Sequence, residues 1–245
     1  MNLKVLASGS RGNCYILSNE SEAIIIELGV AFKLVKEALG FELSKVVGCL
    51  VSHEHGDHAK YIPQAIEAGV DVYSSRGTFE ALGVSGHRVH HLVPEALFKI
   101  GPFKVIPFPV EHDCSEPFGF LIYHPECGNI LFATDTCFLQ YTFPGLNNIM
   151  IEANYDQEIL EEGIRAGRTP ELIRKRVMNN HMELGVLVDT LKANDLSQVN
   201  KIVLIHLSEK SGDPDLFQKI IEEATGKNVF VAAPGLDIHF DKTPF

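Results

Sequence analysis

The chain has few basic residues for its length. Its 245 residues include 21 lysines and arginines against 32 aspartates and glutamates, which gives a formal net charge of -11 at pH 7. An acidic body repels phosphate groups at long range. This shortage of basic residues argues against a protein whose whole surface binds nucleic acid, but it is compatible with a locally positive site.

Cysteine is also scarce, and its pattern is not that of a disulfide framework. The five cysteines are an odd number and include no CxxC pair. A chain of this length does not need disulfides to be stable. We therefore expect free thiols and a reducing, cytoplasmic location.

Long apolar runs, repeats, low-complexity segments and linkers are missing as well. No apolar run approaches the ~20 residues that cross a bilayer, and the chain opens into a strand-like segment instead of a signal peptide. We expect no membrane partner and one compact domain over residues 1–245.

The most informative segment that is present runs from His53 to His58 and reads HEHGDH. It follows an apolar, strand-like run that ends at Val51. Imidazole and carboxylate groups are ligands for zinc, manganese and iron. His53 and His55 project to the same side of an extended chain, and Asp57 and His58 lie beyond the Gly56 turn. The motif therefore predicts ligands for two metal ions, whereas a solvated polar loop would be the functionless alternative.

Further metal-competent residues follow other apolar runs. His112 follows residues 105–110, Asp135 follows residues 130–133, and His206 follows residues 201–205. A dinuclear centre needs more ligands than one loop supplies, and these three positions provide them. Strand-like runs alternate with stretches of helical rhythm, among them 58–68, 170–178 and 181–193, which indicates layered α/β architecture.

The HxHxDH motif, followed by a His, an Asp and a final His after successive strands, resembles the metallo-β-lactamase-fold hydrolases. The resemblance spans nearly the whole chain and implies an αββα sandwich, with two mixed β-sheets flanked by helices, as a single metallo-hydrolase domain. It also implies the pairing of the ligands. His53, His55 and His112 would bind one ion, Asp57, His58 and His206 the other, and Asp135 would bridge them.

Three segments are similar to the YycJ (WalJ) branch of that superfamily, which is regarded as nuclease-like; they cover residues 7–15, 151–156 and 205–208. From the first segment we assign Asn13 to substrate binding. The chain departs from many members at Glu27, where they carry Asp, and we expect Glu27 to support the metal loop. The segment around His181 also lacks the pattern expected of the branch.

The densest basic cluster lies between residues 165 and 176. One interpretation is a solvated helix face. The other is an anion site, because Asn180 can cap a helix with Glu183 three residues on, which would leave His181 at the helix start. On this second interpretation His181 binds the scissile phosphate or protonates the leaving oxygen, and Arg174 binds substrate.

Two metals about 3.5 to 4 Å apart imply hydrolysis by a bridging hydroxide, which Asp57 can orient. The cofactors are therefore predicted to be two divalent ions, and zinc, manganese and iron all fit. We predict a phosphodiesterase or nuclease, exonuclease-like, with DNA or RNA as its partner. The alternatives are a small-molecule hydrolase of thioesters, lactones or cyclic phosphodiesters, and a non-catalytic protein that uses metals only for folding.

Overall fold

The computed structural model describes residues 1–243, in which fourteen strands form two seven-stranded sheets. The first sheet has the order β14-β1-β2-β3-β4-β5-β6, with antiparallel pairing from β14 to β3 and parallel pairing from β3 to β6. Its strands are β1 (Asn2–Ala7), β2 (Cys14–Ser18), β3 (Ala23–Ile26), β4 (Val46–Leu50), β5 (Val72–Ser74), β6 (Val89–His91) and β14 (Asp237–His239).

The second sheet has the order β13-β12-β11-β10-β9-β8-β7, parallel from β13 to β10 and antiparallel from β10 to β7. Both sheets are therefore mixed. The strands are β7 (Phe98–Ile100), β8 (Phe103–Pro109), β9 (Phe118–His124), β10 (Gly128–Ala133), β11 (Leu146–Glu152), β12 (Lys201–Ile205) and β13 (Asn228–Val231).

Helices cover the outer faces of both sheets. They are α1 (Phe32–Ala38), α2 (Gly56–Ala59), α3 (Ile62–Glu67), α4 (Arg76–Leu82), α5 (Gln157–Arg165), α6 (Glu171–Asn180), α7 (Leu184–Ala193) and α8 (Pro214–Thr225), and a single 3₁₀ turn covers Leu43–Lys45. Within the described residues, no helix is long and apolar enough to cross a membrane.

Alternating side chains on each strand divide the core into three apolar layers. In β10, Ile130 and Phe132 face the layer between the sheets, whereas Leu131 and Ala133 face the outer layer beneath α7 and α8. The first sheet is built in the same way, with its own outer layer beneath α1, α3 and α4. This alternation follows from the two-residue period of a strand. The predicted αββα sandwich of two mixed sheets is confirmed.

Three local predictions need correction. The short strands β6 and β7 were not predicted, because three residues carry too little periodic signal. The predicted helix over 58–68 is two helices, α2 and α3, and Pro63 stands in the first turn of the second, where its missing N–H costs nothing. The predicted helix over 181–193 begins at Leu184, with Glu183 as its cap.

Candidate metal centre

The candidate ligands arrive at one edge of the sandwich from the carboxyl ends of several strands. His53 follows β4, His112 follows β8, Asp135 follows β10 and His206 follows β12. Asp135 and His206 have left-handed backbone conformations, with φ of 48° and 55°. Non-glycine residues rarely adopt such angles, and those that do cluster at functional sites. Both side chains lie on the wall of one cavity and within one group of potential ligands.

The first group of potential ligands consists of His53, His55, His112 and Asp135, whose ligand atoms all lie within 4.8 Å of one another. His55 Nδ1 is 3.1 Å from His112 Nε2, and Asp135 Oδ2 is 3.4 Å from His53 Nε2 and 3.7 Å from His112 Nε2. Ligands at 2.0 to 2.2 Å from one tetrahedral ion lie roughly 3.3 to 3.6 Å apart. The spacing therefore fits a single ion.

The second group consists of Asp57, His58, Asp135 and His206. Asp57 Oδ2 is 3.3 Å from both His58 Nε2 and His206 Nε2, and Asp135 Oδ2 is 2.9 Å from His58 Nε2. Asp135 belongs to both groups, so its carboxylate is placed to join two ions. The structure thus brings together all seven residues that the sequence analysis assigned to metal binding.

A buried nitrogen that makes no hydrogen bond gives a second argument for the metal assignment. His53 is buried, and its Nε2 has no hydrogen-bond partner among the described residues, while its Nδ1 is 2.8 Å from Ser52 Oγ. A buried polar atom without a partner is costly in a native protein. A metal ion bound by Nε2 removes that cost, and the Ser52 hydroxyl then orients the ring from behind.

Glu27 supports the second group, as expected. It is fully buried, its Oε1 accepts a hydrogen bond from the Ser52 N–H at 3.1 Å, and its Oε2 lies 3.3 Å from His58 Nδ1. Like Asp135, it has a left-handed backbone, with φ of 68°. This carboxylate therefore lies beside Nδ1 of the His58 ring, while Nε2 of the ring faces the ligand group.

The two groups differ in their proton affinity. In the first, burial and the neighbouring His58 imidazole lower the pKa of His53, and burial lowers that of His112 to about 4. In the second, burial also disfavours the charged rings, but the surrounding carboxylates outweigh it. They raise the pKa of His58 well above its usual value and that of His206 to about 9.

Beside the ligands stands a histidine–carboxylate pair. His181 Nδ1 lies 2.7 Å from Glu152 Oε1 and 3.6 Å from Asp135 Oδ1, and Glu152 Oε1 is also 3.3 Å from His206 Nδ1. Glu152 is fully buried and ends β11, and its Oε2 accepts hydrogen bonds from the Thr136 and Met182 N–H groups. Sequence reasoning missed the role of Glu152. Its signal was a single acidic residue at the end of an otherwise apolar strand.

The expected helix start at His181 is wrong, although His181 does reach the centre. Asn180 is the last residue of α6, and His181 has an extended backbone, with φ of -132° and ψ of 152°. The Glu183 side chain instead accepts hydrogen bonds from the Gly185 and Val186 N–H groups, so it caps α7. No helix terminus therefore points from His181 into the site, and the imidazole itself is what the segment contributes.

Asn13 lies next to the second group but not on its open side. It is fully buried, its Oδ1 accepts a hydrogen bond from the Gly9 N–H at 2.8 Å, and its Nδ2 is 3.1 Å from His58 Nε2. This placement favours a supporting role over the direct substrate contact predicted from the sequence.

The open side of the centre is a cavity of about 360 Å³. The loop before β2 contributes Ser10, and α6 contributes Ile173, Arg176 and Val177. Arg174 is not among the lining residues, because its guanidinium pairs with Glu161 on α5 and with Glu171. The remaining wall consists of potential ligands and their neighbour, namely His55, Asp57, His112, Asp135, His181 and His206.

Comparisons with known proteins agree with this arrangement. The model of the β-lactamase superfamily domain matches residues 30–207. An exodeoxyribonuclease YycJ of Bacillus anthracis is 26% identical over 98% of this chain and 94% of its own length. An exodeoxyribonuclease WalJ of Streptococcus pneumoniae is 26% identical over 86% of this chain and 83% of its own length.

Among solved structures, the metallo-β-lactamase fold protein YhfI of Bacillus subtilis superposes with a TM-score of 0.74. The match covers 97% of this chain and 98% of that protein, at 15% sequence identity. At that identity the likeness concerns the fold, and it agrees with the two-sheet sandwich described above.

Proposed function

Because the chain belongs to the β-lactamase superfamily, and is a hydrolase of the metallo-β-lactamase fold, we propose that it is a dinuclear metal-dependent phosphodiesterase that cleaves DNA or RNA. The observation that carries the proposal is the position of His181. It lines the same cavity as the two ligand groups and is held there by the buried Glu152. A nucleophile site and a proton donor are thus present on one wall.

We assign His53, His55 and His112 to one ion and Asp57, His58 and His206 to the other, with Asp135 shared between them. When bound, two divalent ions activate water at neutral pH and neutralise charge on phosphoryl oxygens. Zinc, manganese and iron all accept this set of imidazoles and carboxylates.

Asp57 serves the attacking water as well as the second ion in this proposal. Its side chain is 23% exposed, in contrast to the almost fully buried rings of His58 and His206 beside it, and it lies on the cavity wall. A carboxylate in this position can accept a hydrogen bond from a water molecule in the cavity and orient it toward a phosphorus atom.

His181 is placed to give a proton to the leaving oxygen. Its Nδ1 is occupied by Glu152, which leaves Nε2 as the nitrogen that can hold a transferable proton. Burial lowers the pKa of this ring, but Glu152 and Asp135 outweigh burial and raise it to about 10. Two bound dications would act in the opposite direction, because nearby positive charge disfavours the charged imidazolium and eases release of its proton.

Two observations favour a nucleic-acid substrate. The curated relatives that match most of the chain are exodeoxyribonucleases. In addition, Arg176 stands on the cavity wall, where a guanidinium can pair with a phosphate. The cavity is also too small to enclose a double helix, which fits cleavage at the end of a single strand.

The size of the cavity also fits a second candidate function, that of a small-molecule hydrolase. Its volume of about 360 Å³ lies near the lower end of the ~300 to 1,000 Å³ range of small-molecule sites. A hydrolase of cyclic phosphodiesters, thioesters or lactones would use the same ligands and His181, and it would not depend on the arginines of α6.

The test is cleavage of end-labelled single- and double-stranded DNA and RNA by the full chain loaded with Mn²⁺ or Zn²⁺. The Asp57→Ala, His58→Ala double variant is the negative control. A product ladder that this variant lacks supports the nuclease and gives its polarity. Hydrolysis of cyclic phosphodiesters or thioesters without any ladder, by protein that binds two ions per chain, would instead support the small-molecule hydrolase.

A further inference from the structure

Helix α6 forms the side of the cavity that is not built from potential ligands. Ile173, Arg176 and Val177 all line the cavity, and their spacing of three and four residues places them on one face of the helix. Arg176 is the basic residue on that face. A substrate that occupies the cavity therefore lies beside Arg176.

The helix is held to the rest of the molecule by few buried side chains. Asn180, at its end, is the one α6 residue that is buried, and Leu172 is 93% exposed. The other contacts of α6 include ion pairs between Arg174 and Glu161 and between Arg176 and Asp113. Ion pairs at the surface contribute little stability, so they can be exchanged at low cost.

The partner of Arg176 belongs to a metal loop. Asp113 directly follows His112, and its Oδ1 lies 3.4 Å from His112 Nε2, while its Oδ2 lies 3.8 Å from Arg176 Nε. The side chains of Arg176 and Asp113 are 67% and 46% exposed. The pair is thus long, hydrated and located at the rim of the centre, where a phosphate group bound by the ions would meet the same guanidinium.

A phosphate is the better partner for this guanidinium. The contact with Asp113 is a single Nε–Oδ2 approach at the outer limit of an ion pair, whereas guanidinium and phosphate form two parallel charge-assisted hydrogen bonds. The neighbouring Arg174 is different, because two carboxylates hold it on the side of α6 away from the cavity lining.

We propose that Arg176 binds the substrate phosphate next to the metal centre, and that Asp113 holds its guanidinium in the free protein until that phosphate replaces it. The proposal rests on the proposed nuclease function. Arg176 acts as a substrate-positioning residue, so its removal weakens binding and leaves the ions, Asp57 and His181 in place. Among the arginines of the basic cluster, it is the one that the geometry assigns to substrate.

The test measures binding and cleavage separately, with full-length protein loaded with Mn²⁺. The dissociation constant for a fluorescent, single-stranded phosphorothioate oligodeoxynucleotide, which resists cleavage, is determined over a series of KCl concentrations. Steady-state kcat and KM are determined with the ordinary phosphodiester. The variants are Arg176→Gln, Arg176→Lys and Lys175→Gln, which removes one positive charge from an exposed position of the same helix.

Arg176→Gln is expected to raise both Kd and KM about tenfold, with less than about a twofold change in kcat. It should also make the plot of the logarithm of the association constant against the logarithm of the salt concentration less steep. The slope should fall in magnitude by about 0.7, which is the value for one lost phosphate contact on single-stranded nucleic acid. Arg176→Lys should restore the slope but only part of the affinity, since lysine lacks the planar fork. Lys175→Gln should leave the slope unchanged.

Asp113→Asn tests the exchange of partners. The variant should lower Kd severalfold, because Arg176 no longer has to break its ion pair with a carboxylate before it binds the phosphate. This gain in affinity should vanish in the Asp113→Asn, Arg176→Gln double variant. A gain of the same size in both backgrounds would overturn the exchange. Metal content, measured in each variant, shows that the neighbouring His112 still holds its ion.

The outcomes separate the two levels of the argument. If the wild-type protein cleaves oligonucleotides but Arg176→Gln and Lys175→Gln have the same Kd, KM and salt dependence, the Arg176 proposal is overturned and the nuclease function stands. If binding depends on Arg176 but no cleavage occurs, the phosphate contact stands and the nuclease function is overturned. If wild type does not bind the oligonucleotide, both are overturned.

Discussion

One wall of the cavity consists of the metal loops and the other of helix α6, and the two walls differ in how their side chains are buried and held in place. His53, His58 and Asp135 are each at most 3% exposed and are fixed by neighbours such as Ser52 and Glu27. On α6, Arg176 is 67% exposed and is held by one long ion pair. One wall is therefore determined by many buried contacts, and the other by a few contacts at the surface.

This difference indicates a division of labour. Metal ligands must be held at defined distances, and buried strand ends with supporting hydrogen bonds provide that precision. A wall that admits and releases a long, charged substrate benefits from interactions that exchange easily. We expect changes in the metal loops to affect the chemistry and changes in α6 to affect recognition.

The largest effect should follow from Asp135→Asn, because this carboxylate is the one shared by both ligand groups. The variant should lose at least one ion and at least ~10³-fold in kcat/KM, since both water activation and charge neutralisation depend on the pair of ions. Metal analysis and hydrolysis of a phosphodiester check this. Asp189→Asn, an exposed change on α7, is the control, and full metal content in Asp135→Asn would contradict the shared role.

His181→Gln should lower kcat by about 10² to 10⁴ while the protein keeps both ions, because glutamine keeps polarity but cannot donate a proton as an acid. The measurement is kcat for a substrate with a poor leaving group, alongside metal analysis. The loss should be much smaller for a nitrophenyl ester, whose leaving oxygen needs no proton. An equal loss for both substrates would argue against a proton-donating His181.

Metal binding should depend on pH differently at the two groups. His112, with its pKa lowered to about 4, is neutral at pH 7, so the first ion displaces no proton there. His206, with its pKa raised to about 9, holds a proton below that pH in the metal-free protein. The pKa of His58 in the same group is raised as well. The second ion must displace the protons of both rings, so its affinity should rise with pH up to about pH 9, by at least about tenfold per pH unit.

Calorimetric titration of metal-free protein with Zn²⁺ between about pH 6.5 and 8.5 checks this prediction. The enthalpy of the second step should vary with the ionisation enthalpy of the buffer, and that of the first step should vary little. The same pH dependence in both steps would show that the two groups do not differ in protonation.

The smallest effect should be seen in hydrogen exchange. The backbone amides of α6 should exchange faster than those of β10 and β11, because α6 buries little while both strands are almost wholly buried. A non-cleavable oligonucleotide should slow the exchange of α6 and leave the strands unchanged. Equal exchange in α6 and the strands would remove the contrast between the two walls.

The residues that the sequence analysis predicted as metal ligands meet in space, and their role as ligands stays a prediction. Each ligand follows an apolar run, and strand ends gather at the edge of a sheet, so local patterns were enough to place His112, Asp135 and His206 with the HEHGDH loop. The layered αββα architecture was equally accessible, since the alternation of apolar residues and the resemblance of the motif agreed.

Other features depended on contacts between residues distant in the chain. Glu152 lies 29 positions before His181, and nothing in either segment marks them as partners. The start of α7 was misplaced by three residues because Asn180 and Glu183 can both cap a helix, and packing of the Met182 side chain in the core favours Glu183. The sequence analysis assigned substrate binding to Arg174, and only the placement of α6 against the cavity shows that Arg176 is the arginine that lines it.

The sequence by itself therefore determined the candidate metal ligands and the layered fold, because ligand spacing and the period of the strands are local properties of the chain. Only the tertiary structure decided which carboxylate holds His181 and which arginine lines the cavity. These depend on how the ends of β11 and α6 meet the metal loops, and that meeting is set by the packing of the whole sandwich.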